Sequence, residues 1–240
     1  MTDFLLELLC EEIPARMQIK ASEDLARLFA EKLAEAGLKP DSIQSFVTPR
    51  RLALIARGLP LQTEAVNEEL KGPRADAPPQ ALAGFLGKTG LTREQLVERP
   101  DAKGNAILFA IIEKPGRATA DVLAEAIPAI VRAFPWPKSM RWGTGSLRWV
   151  RPLHSILCIL TDEAGAEVVP LDIDGIKTTN TTEGHRFMAP GRFAVSSFDA
   201  YVSELKRRFV ILDATERADH IWQDATNQAF ANGLEGVEDR

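Results

Sequence analysis

Two cysteines, three histidines and one tyrosine in 240 residues leave little material for several kinds of chemistry. Cys10 and Cys158 both sit in apolar runs without a Cys or His neighbour at ligand spacing, which excludes a metal knuckle and a disulfide framework and predicts reduced, buried thiols. The longest apolar runs, such as 155–160, fall far short of the roughly 20 residues that cross a bilayer. The N-terminal MTDFLLELLCEEIP carries Asp3, Glu7, Glu11 and Glu12 and no basic leader, so it does not read as a secretory signal and the expected location is cytoplasmic. There is no G-x-x-x-x-G-K-[ST] loop, no G-x-G-x-x-G opening a helix, no H-E-x-x-H and no G-x-S-x-G. His154, His185 and His220 lie far apart, and one histidine without a visible partner makes a poor catalytic case. Glu11-Glu12 could form a carboxylate pair, but adjacent acids at a strand end more often face solvent. No catalytic residue and no metal ligand is assigned.

What the chain has is ordinary bulk and unusual loops. Hydrophobic content of 45% and charged content of 26% suit a globular protein large enough for one domain or two. The formal net charge of -5 argues against nonspecific nucleic-acid binding by the whole surface, though not against a local basic patch. The densest candidate is PKSMRWGTGSLRWVRPLHS, residues 137–155. It holds Lys138, Arg141, Arg148 and Arg151 without an acidic residue, interleaved with Trp142 and Trp149. Arginine forks suit phosphate and indoles can stack on bases. Equally, both tryptophans can be core residues with solvated arginines beside them, and this stretch alone leaves the two readings level.

Periodicity organises the rest into an α+β fold with mixed or antiparallel sheets and packed helices. Expected strands are 4–10, 43–47, 52–56, 107–112, 154–160 and 168–173. Expected helices are 21–36, with Ser22 as its cap, 79–88, 119–134 broken or kinked at Pro128, one opening on a capping box over Ser196-Ser197-Phe198-Asp199 and running to about Arg208, and one opening on a capping box over Asp213-Ala214-Thr215-Glu216 and stopping at Asn232-Gly233. The expected portions are a β-α-β-β unit over 1–60, a connection over 61–79, and an α+β portion over 80–240. They could also form one continuous domain. Three further Gly- or Pro-framed basic loops stand at turns: Arg50-Arg51, Lys71 with Arg74, and His185-Arg186. With the 138–151 stretch they suggest a surface assembled for phosphates, and Arg50, Arg51, Lys71 and Arg74 are the residues most expected to touch a partner.

Six ordered motifs carry a resemblance. LLCEEIP (8–14), TPRRLAL (48–54), KGPR (71–74), KSMRWG (138–143), WVRPLH (149–154) and GHRFM (184–188) make the sequence similar to the beta subunit of bacterial glycine–tRNA ligase, from about residue 4 onward. The resemblance implies a heterotetramer with an alpha subunit that holds the catalytic core, ATP, Mg and glycine, and a second beta subunit. It implies that this portion contributes to tRNA(Gly) binding and to alpha/beta assembly, without a cofactor or catalysis of its own. It also implies a longer protein, of which this looks like an N-terminal fragment. The alternative of a different class is an editing domain that hydrolyses mischarged tRNA.

Overall fold

The structure is a computed structural model that describes residues 1–100 and 105–237. Among the described residues there are seventeen α and β elements, and the chain falls into two units: Met1–Leu61 with Thr119–Arg240, and Gln62–Ala118.

The first unit is built on β1 (Thr2–Cys10), β2 (Ser42–Thr48), β3 (Arg51–Leu59), β7 (Leu153–Asp162), β8 (Gly165–Val168), β9 (Asp172–Ile173) and β10 (Ile176–Thr179). They form one sheet in the order β2-β3-β1-β7-β10-β9, with β8 also on β7. All pairings are antiparallel except β10 with β7, so the sheet is mixed, as expected. β1 lies between β3 and β7, and both its faces pack against apolar residues, which explains why its sequence reads as a nearly unbroken apolar run.

Alternation sorts the two faces. Phe4, Leu6, Leu8 and Cys10 join Leu52 and Leu54 in a core shared with α1 (Ala15–Glu35) and α3 (Thr119–Arg132). Leu5, Ala53, Ile55, Leu157 and Ile159 face α4 (Phe198–Arg207) through Tyr201 and Leu205. Cys10 and Cys158 are free and buried on the first face. Burial raises the Cys10 thiol to about 12 and pushes Cys158 up as well. A short hairpin, β11 (Thr181–Glu183) with β12 (Arg192–Ala194), and α5 (Ala214–Ala231) complete this unit.

The second unit pairs β4 (Val66–Arg74) and β5 (Leu96–Pro100) on either side of β6 (Ala106–Lys114), with α2 (Pro79–Thr89) against them. Its small core is Leu96, Leu108 and Ala110 with Leu82, Phe85 and Leu86 of the helix. Gly72 shows why KGPR holds a glycine: an added Cβ would meet the Phe85 ring at 2.4 Å.

Several local expectations change. The connection expected over 61–79 contains β4, a polar strand whose residues 66–74 lack the alternation that marks a half-buried one. The elements expected to begin the 80–240 portion belong with β4 instead. α1 starts at Ala15, six residues early, because Pro14 sits at its N-cap and Met17 and Ala21 extend the buried stripe backwards. Ser22 is therefore inside the helix, and its hydroxyl donates to Ser45 at 2.9 Å. Pro128 lies within one continuous helix that neither stops nor divides there. Strand 168–173 is two pieces, β8 and β9, interrupted at 169–171 where Pro170 has no N–H to give a ladder, and Asp174-Gly175 then makes a two-residue hairpin into β10 with both residues at positive φ.

Candidate functional site

Four of the six motifs meet at one end of the central sheet. The backbone of β1 leaves the sheet tied to both neighbours: Cys10 N–H donates to Arg50 O at 2.8 Å, Ile13 N–H to Pro49 O at 2.6 Å, and Glu11 N–H to Pro152 O at 3.0 Å. LLCEEIP, TPRRLAL and WVRPLH are thereby fixed side by side, and the segment after β11 brings GHRFM to them.

Carboxylates answer the cations of this cluster one by one. Glu11 takes His154 Nε2 at 2.7 Å and lies 3.6 Å from Arg186 and 3.8 Å from Arg50. Glu12 takes Arg186 Nη2 at 2.6 Å. The hydrogen bond from His154, with Arg50 and Arg186 nearby, holds the Glu11 carboxyl below the usual range. Deeper in, Glu7 pairs with Arg51 Nε at 3.0 Å and accepts the hydroxyls of Thr182 and Tyr201. Arg51 Nη2 also donates to Glu183 O at 2.8 Å. Both Glu7 and Arg51 are buried, and burial beside Glu7 raises the Tyr201 phenol well above its usual value.

A pocket of about 290 Å³ opens over this cluster, lined in part by Glu12, Arg50, His185, Phe187, Phe209 and Arg217. It holds no nucleophile with a poised base. His185 Nδ1 faces the backbone N–H groups of Phe187 and Met188 at 3.3 and 3.2 Å, which commits that nitrogen to the turn. Gly184 is required by close approach, since an added Cβ would meet Arg208 Cβ at 2.4 Å.

The 138–151 stretch behaves differently. Its ends are joined by a bridge in which Met140 and Trp149 exchange backbone hydrogen bonds of 2.8 and 3.1 Å. Trp149 is fully buried, with ring centroids 5.0 Å from both Phe134 and Trp136, and Trp142 packs on the same core. Between them, Asp174 accepts N–H bonds from Ser146 and Leu147 at 3.2 and 3.1 Å. Those bonds lower its pKa. The indoles are thus structural, while Lys138, Arg141, Arg148 and Arg151 are all exposed. Among the described residues none of the four has a carboxylate in ion-pair range.

The predicted site residues therefore divide. Arg51 is buried and held by Glu7, and it contributes only to the wall of the pocket beside His185. Arg50 and Arg186 are engaged by Glu11 and Glu12. In the second unit Lys71 is exposed on β4, and Arg74 pairs with Asp76 at 3.1 Å. Arg16, beside Lys138 and Arg151, is a cation that sequence reasoning missed. The signal was Pro14, which starts the helix early enough to put Arg16 in its first turn. Among the described residues no three of His, Cys, Asp and Glu converge as a metal site, and no helix is long and apolar enough to cross a membrane.

Comparison with known proteins places these motifs in context. Residues 4–240 match the family model described as glycyl-tRNA synthetase beta subunit. The chain is 60% identical over 239 residues to the glycine–tRNA ligase beta subunit of Cereibacter sphaeroides, covering all of this chain and 34% of that protein. It is 58% identical to that of Ruegeria sp. and 53% to that of Phenylobacterium zucineum, each over 240 residues, covering 35% and 34% of those proteins. The chain spans about a third of the length of the curated relatives it matches.

Proposed function

The chain belongs to the glycyl-tRNA synthetase beta subunit family, and from that premise we propose that it is a tRNA-handling and assembly portion of such a subunit. In this reading it serves the ATP-dependent attachment of glycine to tRNA(Gly) in the cytoplasm. An alpha subunit carries the chemistry and holds ATP and Mg, and a second beta subunit completes the assembly. This portion supplies grip and orientation.

The observation that carries the reading is the run of exposed cations from Lys138 to Arg151 with no internal carboxylate partner, in a chain that is acidic overall. Cations left unanswered inside the fold are available for phosphates, and binding to phosphates positions a nucleic acid without reading its sequence. Editing is the weaker role on chemical grounds. Glycine is the smallest amino acid, so a steric site already rejects larger ones, and the pocket at His185 offers no poised nucleophile.

The test measures binding of the 240-residue chain to tRNA(Gly) and, separately, to the alpha subunit. Binding to tRNA that weakens steeply with salt supports the reading. Absence of binding to both overturns it. Release of the amino acid from mischarged tRNA by the chain alone overturns the non-catalytic role.

A further inference from the structure

We propose that the depression lined by Arg16, Lys138 and Arg151 is a binding site for one phosphate of an RNA backbone. The identity of the ligand as RNA rests on the reading above; the site itself rests on the following geometry.

The depression has a volume of about 380 Å³ and is walled by Pro14, Met17, Met140 and Val150, with Ser139 as its neutral polar group. Three cations and no carboxylate line it. Like charges around one concavity repel, and apolar walls strengthen that repulsion by lowering the local dielectric. An oxyanion removes the cost. Arg27, Arg50, Arg51, Arg57, Arg186 and Arg192 each have a carboxylate within 4 Å, whereas among the described residues Arg16, Lys138 and Arg151 have none.

The start of α1 adds to the same field. Pro14 is its N-cap and Arg16 and Met17 lie in its first turn, which carries no acidic residue and no side-chain cap. A helix of 21 residues places its positive end there. The opposite wall is fixed by the Met140–Trp149 bridge and the buried indole, which sets Lys138 and Arg151 on a rigid support. Two planar arginine forks and a lysine suit a phosphodiester. A contact made to phosphate positions the nucleic acid without reading its sequence.

The test uses the 240-residue chain, tRNA(Gly), inorganic phosphate, and the variants Arg16→Gln, Lys138→Gln, Arg151→Gln and their combination, each checked for an unchanged melting profile. Each single change is expected to weaken tRNA binding several-fold and to flatten the plot of log affinity against log salt by about 0.7 to 1. Arg192→Gln, a cation with an internal partner, leaves that slope in place. Inorganic phosphate is expected to protect Lys138 from acylation in the unmodified chain but not in Arg16→Gln. If the unmodified chain binds tRNA and the variants bind with the same affinity and slope, the site is overturned while the RNA reading stands. If tRNA does not bind but phosphate still protects Lys138, the RNA source is overturned and the proposal with it. Absence of both effects overturns site and source together.

Discussion

Two clusters of arginine and lysine occupy the first unit, and they differ in what faces them. Around Glu7, Glu11 and Glu12, the cations Arg50, Arg51 and Arg186 are each met by a carboxylate. Among the described residues no carboxylate lines the depression at Arg16, Lys138 and Arg151. In sequence the two look alike: short basic runs next to proline, glycine or tryptophan. The difference lies in distant residues. Glu7 reaches Arg51 because β1 and β3 are paired in register, and Glu11 reaches Arg186 across more than 170 positions of chain. A basic motif is structural or available for a ligand according to its long-range partner, and only the fold supplies that partner. The first cluster ties segments together; the second leaves charge for something outside.

The largest effect should come from breaking the first cluster at its centre. Glu7→Gln removes the charge that answers Arg51 while both groups stay buried, and it disturbs the acceptor of Thr182 and Tyr201. Removing one partner of a buried pair costs about 3–5 kcal/mol. Urea denaturation should show a loss of that order, with α4 released from the sheet through Tyr201. A change below about 1 kcal/mol would mean that the pair is dispensable and that the distinction between the clusters fails.

Next comes Gly184→Ala, which probes the same cluster through shape. The new Cβ would collide with Arg208 Cβ and approach its carbonyl oxygen to 2.9 Å, so backbone must shift. Overpacking of this kind costs about 1–3 kcal/mol. Equilibrium unfolding of the variant checks the magnitude. Gly143→Ala, at an exposed glycine with positive φ and open space around it, should cost less, about 1 kcal/mol from backbone strain alone.

Much of the fold was legible in the sequence for identifiable reasons. β1 read as a doubly buried strand because both of its faces are packed with apolar residues, with Glu7 a buried charged exception. The α4 and α5 starts were visible because Ser197 and Asp213 cap them locally, accepting from Ala200 and Glu216 N–H groups. β4 was hidden because a polar edge strand held mainly by ladder hydrogen bonds carries no apolar signature. The early start of α1 was hidden behind Pro14, which marks a helix start as readily as a stop. At the site, the six motifs were visible as motifs, but their sorting was not. The pairing of Arg51 with Glu7 and the burial of Trp149 depend on strand register and on the Phe134–Trp136 contact, which no local pattern encodes.

A smaller effect follows from acid. The Glu11 carboxyl is held low by the hydrogen bond from His154, with Arg50 and Arg186 adding to it. A carboxyl whose pKa is lowered in the folded state adds stability above the unfolded value, and that stability is lost as pH falls through the folded one. Glu11 is partly exposed, so the contribution is below about 1 kcal/mol. The variant Glu11→Gln should therefore unfold at lower urea than the parent at pH 7, with the gap closing as the pH falls below the ordinary carboxylate range and through the lowered value of Glu11. A gap that persists there would assign the effect to packing instead of charge.

The smallest effect should be at the second cluster, and its smallness is the point. Lys138 is exposed and has no internal carboxylate, so Lys138→Gln removes no folded-state attraction. Exposed substitutions away from special features stay within about 0.5 kcal/mol. The sign should be neutral or slightly stabilising, because one of three mutually repelling charges is gone. Salt sharpens the test: screening eases repulsion among exposed charges, so added salt should stabilise the parent slightly more than the triple Gln variant. Arg186→Gln, measured in parallel, should lose stability in place of gaining it, since Glu11 and Glu12 are left without their guanidinium. A loss above about 1 kcal/mol on Lys138→Gln would reveal an internal partner for that ammonium. The two clusters would then be of one kind, and the charge held beside α1 would no longer need a ligand to explain it.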